Sequence, residues 1–247
     1  MNEKARLAEQ AHIYEDWQGI DRELTEAVGR LIASRVTGPC GVELGWGSGV
    51  MYPILREVVP RLDMVEADPT LAQRARDAIQ APPGVLMPRR GIVFECLFEK
   101  YRPLFLGYYS DVIISEVLEH VRNPRKLLRR ATTWLRKGGR IHIAVPNGNS
   151  IHRLLGAMAG MGRPTDLGET DKRNGHRRVY TWNSIKREVE RAGLEVVHME
   201  GVLLKPFTGE GMNKLTQRER AHLFKLAPCC PKLCAEVYVE CRTRESC

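Results

Sequence analysis

Two spacings of apolar residues alternate along this chain. One recurs every three to four residues. It runs through Leu7, Ala8, Ala11, Ile13 and Tyr14 and, after a break at Gly19, through Leu24, Val28, Leu31 and Ile32. This is the interval of one helix face, so residues 4–17 and 21–35 are expected to be helical, with Asp21 as the cap of the second helix. The other spacing is a short, largely apolar run. Such runs at 41–44, 62–67, 91–96, 111–115, 140–145, 194–204 and 235–241 are read as strands. Val112, Ile113 and Ile114 in succession suit a strand buried on both faces of a parallel sheet. Helix starts and stops lie between these runs. Pro53 falls in the early turns after the first strand, and Asp68-Pro69 follows the second. Asn123-Pro124 precedes Leu127, Leu128, Ala131, Trp134 and Leu135, with Gly138-Gly139 as the expected stop. Thr181 precedes Ile185, Val189 and Ala192 and the stop at Gly193. Residues 151–162 read as a short helix, 163–180 as a polar loop, and 205–228 as an excursion with some helix. Five strand–helix alternations and a terminal pair of strands predict one doubly wound α/β sheet of seven strands.

The turn after the first strand reads V-E-L-G-W-G-S-G over residues 42–49. Glycines at 45, 47 and 49 free the backbone for positive φ and for close approach of a ligand. The following helix start offers unpaired N–H groups and a positive dipole end. A dinucleotide fingerprint, G-x-G-x-x-G, would need glycine at position 50, where Val50 stands, which disfavours a nicotinamide oxidoreductase. The second strand ends in V-E-A-D-P. Glu66 at its carboxyl end, about twenty residues past the glycines, is placed to accept both hydroxyls of a ribose.

Together with V-L-E-H-V at 117–121 and V-P-N at 145–147, these segments resemble the class I S-adenosylmethionine-dependent methyltransferases, of the small-molecule type. The resemblance spans about 36–241. It implies a Rossmann-like methyltransferase fold, mostly parallel with an antiparallel last strand, and S-adenosyl-L-methionine as cofactor. It places Glu43, Gly45, Trp46, Gly47, Gly49, Glu66 and Ala67 around that cofactor. Trp46 stands where relatives carry a small residue, so its indole must pack elsewhere. Leu97 stands where many relatives carry an Asp for the adenine amino group, leaving Leu97 and Phe98 as apolar walls. The chain is expected to divide into a helical lid at 1–35, packed on the core, and a methyltransferase domain at 36–247. Within that domain 146–180 and 205–230 are excursions on the substrate side.

Methyl transfer from a sulfonium needs mainly alignment, plus a base where the acceptor holds a proton. Glu116 and His120 are four apart and expected on one face of a helical turn. His120 is the first candidate base, and Glu116 is counted with the cofactor. His176, in a loop with Arg177 and Arg178, is the second catalytic candidate. Asn147 and His152 are candidates for substrate contact, and Tyr14 and Trp17 for closing over the site. Glu169 and Asp171 share a loop, but no spacing pairs them as metal ligands, and no metal site is expected.

Composition changes this picture little. The chain has 247 residues, of which 43% are hydrophobic and 28% charged, ordinary for a globular protein. No apolar stretch reaches membrane-spanning length, and residues 1–10 lack a signal-peptide core, so a cytoplasmic protein with no membrane partner is expected. Seven cysteines, with C-C-x-x-x-C at 229–234, are read as reduced thiols rather than zinc ligands. The net charge of +8 comes from dispersed basic residues and is read as a solvated surface. The expected reaction is methylation of a small molecule. The alternatives are a macromolecular acceptor (RNA or protein) and a cofactor-binding protein of this fold without catalysis. Ser115-Glu116-Val117-Leu118 differs from the N-P-P-Y type of base-methylation motif, so nucleic acid is not the favoured partner. The oligomeric state is left open.

Overall fold

The computed structural model describes residues 17–79 and 91–244. Tyr14 and most of the first expected helix lie outside them. A seven-stranded sheet forms the centre, in the order β3-β2-β1-β4-β5-β7-β6. Its strands are β1 (Cys40–Leu44), β2 (Arg61–Glu66), β3 (Val93–Glu95), β4 (Tyr109–Ser115), β5 (Leu135–Pro146), β6 (Leu194–Val202) and β7 (Glu236–Thr243). Only β7 runs antiparallel to its neighbours, β5 and β6. The chain steps outward from β1 to β3, then returns to the other side of β1 as β4. Loops leaving the carboxyl ends of β1 and β4 therefore diverge, which opens the ligand crevice of such sheets.

Helices cover both faces. On one face α4 (Pro124–Trp134) and α7 (Trp182–Arg191) bury Leu127, Leu128, Ala131, Trp134, Ile185 and Val189 against Val112, Ile114, Ile141 and Ile143. On the other, α1 (Gly19–Ala33), α2 (Met51–Leu55), α3 (Pro69–Ile79) and α8 (Gly209–Asn213) pack on Met64, Ile113, Ala144 and Tyr238. The remaining helices, α5 (Ile151–Met158), α6 (Glu169–Arg173) and α9 (Gln217–Lys225), lie in the two long connections. Local caps behave as their chemistry dictates. Asp68 accepts from the N–H groups of Thr70 and Leu71, Asn123 from Lys126, and Thr181 from Ser184.

Several boundaries differ from the expected ones, a helix at Glu169–Arg173 stands within the segment expected to be a loop, and two helix ends differ because their partners are distant in sequence. The helix after Asn123 ends at Trp134, not at the glycine pair. Gly107 and Tyr108 donate their N–H groups to the carbonyls of Thr133 and Trp134, closing the helix end with tertiary partners. Leu135 then pairs with Tyr109 and Arg140 with Asp111, so residues 136–139 bulge out of β5.

The second difference lies at the start of α1. The helix begins at Gly19, which places Asp21 inside the first turn rather than at the cap. The capping acceptor is Asn213, at the end of α8, whose Oδ1 receives the Ile20 N–H at 2.8 Å. Gly19 has φ 59°, and a Cβ there would lie 2.3 Å from Asn213 Oδ1, so only glycine admits this approach. Asn213→Ala should therefore destabilise the fold by about 0.5–2 kcal/mol, the usual value of a lost cap. Urea unfolding of the two proteins measures this, and an unchanged midpoint would mean that α1 is held at this end by other contacts.

Candidate active site

The site grows from the turn between β1 and α2. Gly45, Gly47 and Gly49 have φ of 89°, 51° and 72°, which sets the backbone of the turn in the left-handed region. The indole of Trp46 folds back over Gly49, where a Cβ would lie 2.5 Å from it, and packs 5.4 Å from the Tyr52 ring of α2. Gly49 is thus needed for the tryptophan as much as for the turn. Trp46 also lines the cleft that opens here.

Glu66 ends β2 and ties three backbone groups together. Its Oε2 accepts the N–H of Trp46 at 2.9 Å, and its Oε1 accepts those of Ala67 and Asp68 at 2.6 and 2.8 Å. Glu66 lines the cleft, but the side chain is only 5% exposed, so it is more deeply set than a free ribose acceptor would be. Burial raises its pKa, opposed by the three backbone donors. Glu43, in β1, is 3% exposed, its Oε2 has no hydrogen-bond partner, and burial pushes its carboxyl up to about 8.

Other cleft walls come from separate parts of the chain: Ala67, Leu97 and Phe98 beyond β2 and β3, Trp17 and Thr25 from the α1 side, and Glu116, Val117 and His120 beyond β4. The Trp17 indole N–H donates to Thr25 Oγ1 at 3.0 Å, which orients the ring at the cleft. Glu116 and His120 do not share a helical turn. Glu116 has φ 54°, a conformation L-residues rarely adopt, and the single turn that follows begins at Val117, whose carbonyl accepts the His120 N–H. Both side chains nevertheless reach the same cleft.

The loop carrying His176 holds that turn in place. Arg177 donates its backbone N–H to Glu119 O and its Nε to His120 O, both at 2.8 Å. Arg178 donates to the carbonyls of Leu118, Val121 and Arg122. The two arginines that follow His176 in sequence are thus a clamp on the β4–α4 turn, a role that their loop position did not reveal. The His176 ring meets His120 edge to face, with centroids 4.7 Å apart. Its Nδ1 lies 3.3 Å from Asp171 Oδ1. Burial opposes the charge of Asp171, but hydrogen bonds from His176, Arg153 and the Gly168 N–H outweigh it and hold the carboxyl well below its usual range. Asp171 is therefore a fixed anion beside His176, which sequence spacing alone left unassigned.

Ligand atoms of Glu119, His120 and His176 lie within 4.8 Å of one another, the one group among the described residues with the composition to hold a metal ion. Among the described residues the cysteines form no such group. Cys234 is buried, its thiol against the carbonyls of Ala227 and Cys230, and burial pushes it up to about 12.

Two residues expected at the substrate are placed elsewhere. Asn147 is 2% exposed, and its amide donates to the carbonyls of Lys232 and Cys234 while its Oδ1 accepts the Asn149 N–H. It fastens the turn after β5 to the segment before β7 and does not line the cleft. His152 stands in the first turn of α5, outside the cleft wall. Burial, with Lys205 and Arg153 nearby, lowers its pKa to about 4, so it is neutral at physiological pH.

A strand–turn–helix with three glycines at positive φ, an acidic residue ending β2, and this sheet order define a nucleotide-binding α/β protein of the methyltransferase kind. A family model described as a methyltransferase domain matches residues 16–199, and the chain belongs to that family. Among curated relatives, the ubiquinone biosynthesis O-methyltransferase of Aeromonas salmonicida is 33% identical over 105 residues, 41% of this chain and 42% of that protein. The enzyme of the same name from Cupriavidus pinatubonensis is 25% identical over 167 residues, 68% of this chain and 64% of that protein. The matches thus span less than two thirds of these relatives. The fold is shared with the N-methyltransferase NodS of Bradyrhizobium japonicum, solved with S-adenosyl-l-homocysteine, at a TM-score of 0.62 and 13% identity, covering 97% of this chain and 99% of that one. S-adenosylmethionine is the cofactor expected for a methyltransferase domain of this kind. The residues present fit it: bare backbone at the glycines, acidic oxygens of Glu43 and Glu66 facing a cationic ligand with a diol, and apolar walls at Leu97 and Phe98.

Two outcomes are expected from this geometry. Glu66→Ala should weaken S-adenosylhomocysteine binding by about 1.5–3 kcal/mol, because it frees the glycine turn and removes a charged acceptor. Calorimetry reads the change, with NAD as the control ligand, and wild-type affinity would place the ribose on other residues. The second concerns pH. Glu43 has a folded-state pKa of about 8 against an ordinary 4.5. The contribution of Glu43 to the ligand-free fold is fully present below the ordinary value and is lost as pH rises from there through the folded value. Glu43→Gln should melt near wild type at pH 5 and be more stable than wild type at pH 9, by at least about 1 kcal/mol. Equal melting curves at both pH values would show that Glu43 titrates normally.

Proposed function

We propose that the chain transfers the methyl group of S-adenosylmethionine to a small-molecule acceptor held against Glu116 and His120. The supporting observation is the continuity of the cleft, which runs from the glycine turn to His120 and Val121 with Trp17 and Thr25 among its walls. An acceptor at the β4 end lies beside the cofactor. The cofactor supplies an activated methyl on a sulfonium, so the protein's part is alignment and exclusion of water. The glycine turn and Glu66 fix the donor, and Trp17 limits solvent entry. His120 takes the acceptor's proton, with its ring set by the edge-to-face contact with His176. The ubiquinone relatives act on small molecules by name, in keeping with this reading.

A second reading, a nucleic-acid acceptor, draws on one feature. The basic charge is less evenly spread than expected: α4 carries Arg125, Lys126, Arg129 and Arg130 and no acidic residue. Labelled S-adenosylmethionine, fractionated small metabolites and, separately, mixed RNA and duplex DNA decide between the two. Label is expected in a small-molecule fraction, with activity varying little with salt. His120→Ala is expected to cut kcat about 10²–10⁴-fold at unchanged cofactor affinity. Label in nucleic acid, with affinity falling about 10³–10⁵-fold between low and physiological salt, would replace the small-molecule reading.

A further inference from the structure

Three consecutive large apolar side chains face water in the loop between β3 and β4. Leu104, Phe105 and Leu106 are 65%, 67% and 72% exposed, and no other described residues form such a run. The loop is fastened at both ends to the last turns of α4. On one side Arg130 donates to the carbonyls of Glu99 and Tyr101, and the buried Tyr101 ring packs 5.0 Å from Trp134. On the other, Gly107 and Tyr108 donate their N–H groups to the carbonyls of Thr133 and Trp134. With both ends anchored, residues 104–106 are presented as an outward tip instead of folding into the core. Apolar groups kept in water in this way cost free energy that polar residues at a loop tip would not, and a contiguous patch of them marks a contact surface.

The rim of this tip is basic. Arg102 donates to the Tyr101 carbonyl at 3.0 Å, the same carbonyl that Arg130 reaches. The Arg61 guanidinium lies 5.2 Å from the centre of the Tyr108 ring, and that ring lies 6.3 Å from Phe105. Leu135 pairs with Tyr109, which brings the exposed Arg136 and Lys137 that follow it to the same end of the sheet. Residues 129–140 hold five basic side chains and no acidic one, and residues 99–109 set one acid, Glu99, against Lys100 and Arg102. The tip precedes β4 and so lies at the amino ends of the parallel strands, whereas the cleft lies beyond the carboxyl ends of β1, β2 and β4. The seven residues of β4 keep the two apart by roughly 20 Å.

We propose that this end of the molecule is a docking surface for an anionic lipid bilayer, with Leu104, Phe105 and Leu106 seated below the headgroups and the basic rim on the lipid phosphates. This goes beyond the methyl-transfer reading and does not depend on it. Apolar side chains enter the boundary between headgroups and acyl chains while the cations stay at the level of the phosphates, so the two kinds of contact add. A second copy of the chain fits this surface less well. A two-fold contact through the tip would set one basic rim against another, and three side chains fall far short of the about 800 Å² that each partner of a stable pair buries. Nucleic acid would meet the rim but leave the apolar tip in water. Docked on a bilayer by this end, the protein turns its cleft away from the lipid, so cofactor and acceptor enter from solution unobstructed.

Flotation of the full chain with vesicles of phosphatidylcholine, alone or in an equimolar mixture with phosphatidylglycerol, tests the proposal. Partition onto the mixed vesicles should exceed that onto phosphatidylcholine at least about tenfold and should fall as salt is raised. Leu104→Ser, Phe105→Ser and Leu106→Ser combined should cut partition at least about tenfold, with the melting curve and S-adenosylhomocysteine affinity of the wild type. Phe105→Ser alone should act in the same direction by less, and it carries the test if the triple variant melts early. Lys137→Glu, at the rim, should cut partition onto the mixed vesicles about tenfold. Equal partition onto the two kinds of vesicle, or none onto either, would overturn the proposal. So would wild-type partition of the triple variant. Binding to mixed RNA or duplex DNA with vesicles ignored would assign the rim to nucleic acid instead. A concentration-dependent dimer that the triple variant loses, without vesicle binding, would assign the tip to a second copy. Either of these results would also overturn the bilayer as the occupant.

Discussion

The carboxylate of Glu66 is the point on which the cofactor end of the molecule depends. Bonds from its two oxygens to the N–H groups of Trp46, Ala67 and Asp68 join the turn after β1 to the turn after β2. A glycine-rich loop is entropically expensive to hold in one shape, because glycine has the most conformations to lose. A charged acceptor receiving several backbone donors is among the stronger ways to hold it. The same bonds start α3, since the Asp68 whose N–H is fixed by Glu66 caps that helix with its own side chain. One side chain therefore sets the glycine turn, the strand end and the following helix.

The acceptor end is held by a different device. The turn after β4 has too few residues to organise itself, and its carbonyls are taken by Arg177 and Arg178 from a loop nearly sixty positions away. That loop is steadied by Asp171, which gathers Arg153, the Gly168 N–H and His176. His120 is thereby placed without any regular secondary structure. The arrangement also explains why so much of the positive charge near the site is unavailable as a general electrostatic surface. Arg153, Arg177 and Arg178 are committed to carbonyls and to one carboxylate.

Long-range polar contacts recur wherever an element has no local means of starting or ending. α1 is capped by Asn213, α4 is closed by Gly107 and Tyr108, and the turn after β5 is pinned by Asn147 to residues 232 and 234. At the far end of β4, Asp111 accepts from the Thr37 and Gly38 N–H groups and meets His142, which in turn meets Tyr238 of β7. This buried chain spans β4, β5 and β7, and a one-residue slip of the antiparallel strand would break it.

The amino-acid sequence by itself determined most of the elements and the glycine turn. Apolar spacing separates strands from helices because the two have different periods, and the glycine turn, Asp68, Asn123 and Thr181 act on neighbours a few residues away. Glu66 was singled out by its distance along the chain from the glycines, while its bonds to the N–H groups of Trp46, Ala67 and Asp68 came only with the fold. Only the tertiary structure decided where α1 starts and α4 stops, because the groups that satisfy those helix ends come from distant segments. It also decided the roles of polar residues in the long connections. Asn147 has the chemistry of a substrate ligand but is bonded to the carbonyls of residues 232 and 234, and His152 stands outside the cleft, whereas Glu236 carried no distinguishing spacing and reaches Pro146 only when β7 inserts between β5 and β6. A side chain's chemistry is written at its own position, but what it faces depends on the strand order, which no short pattern encodes.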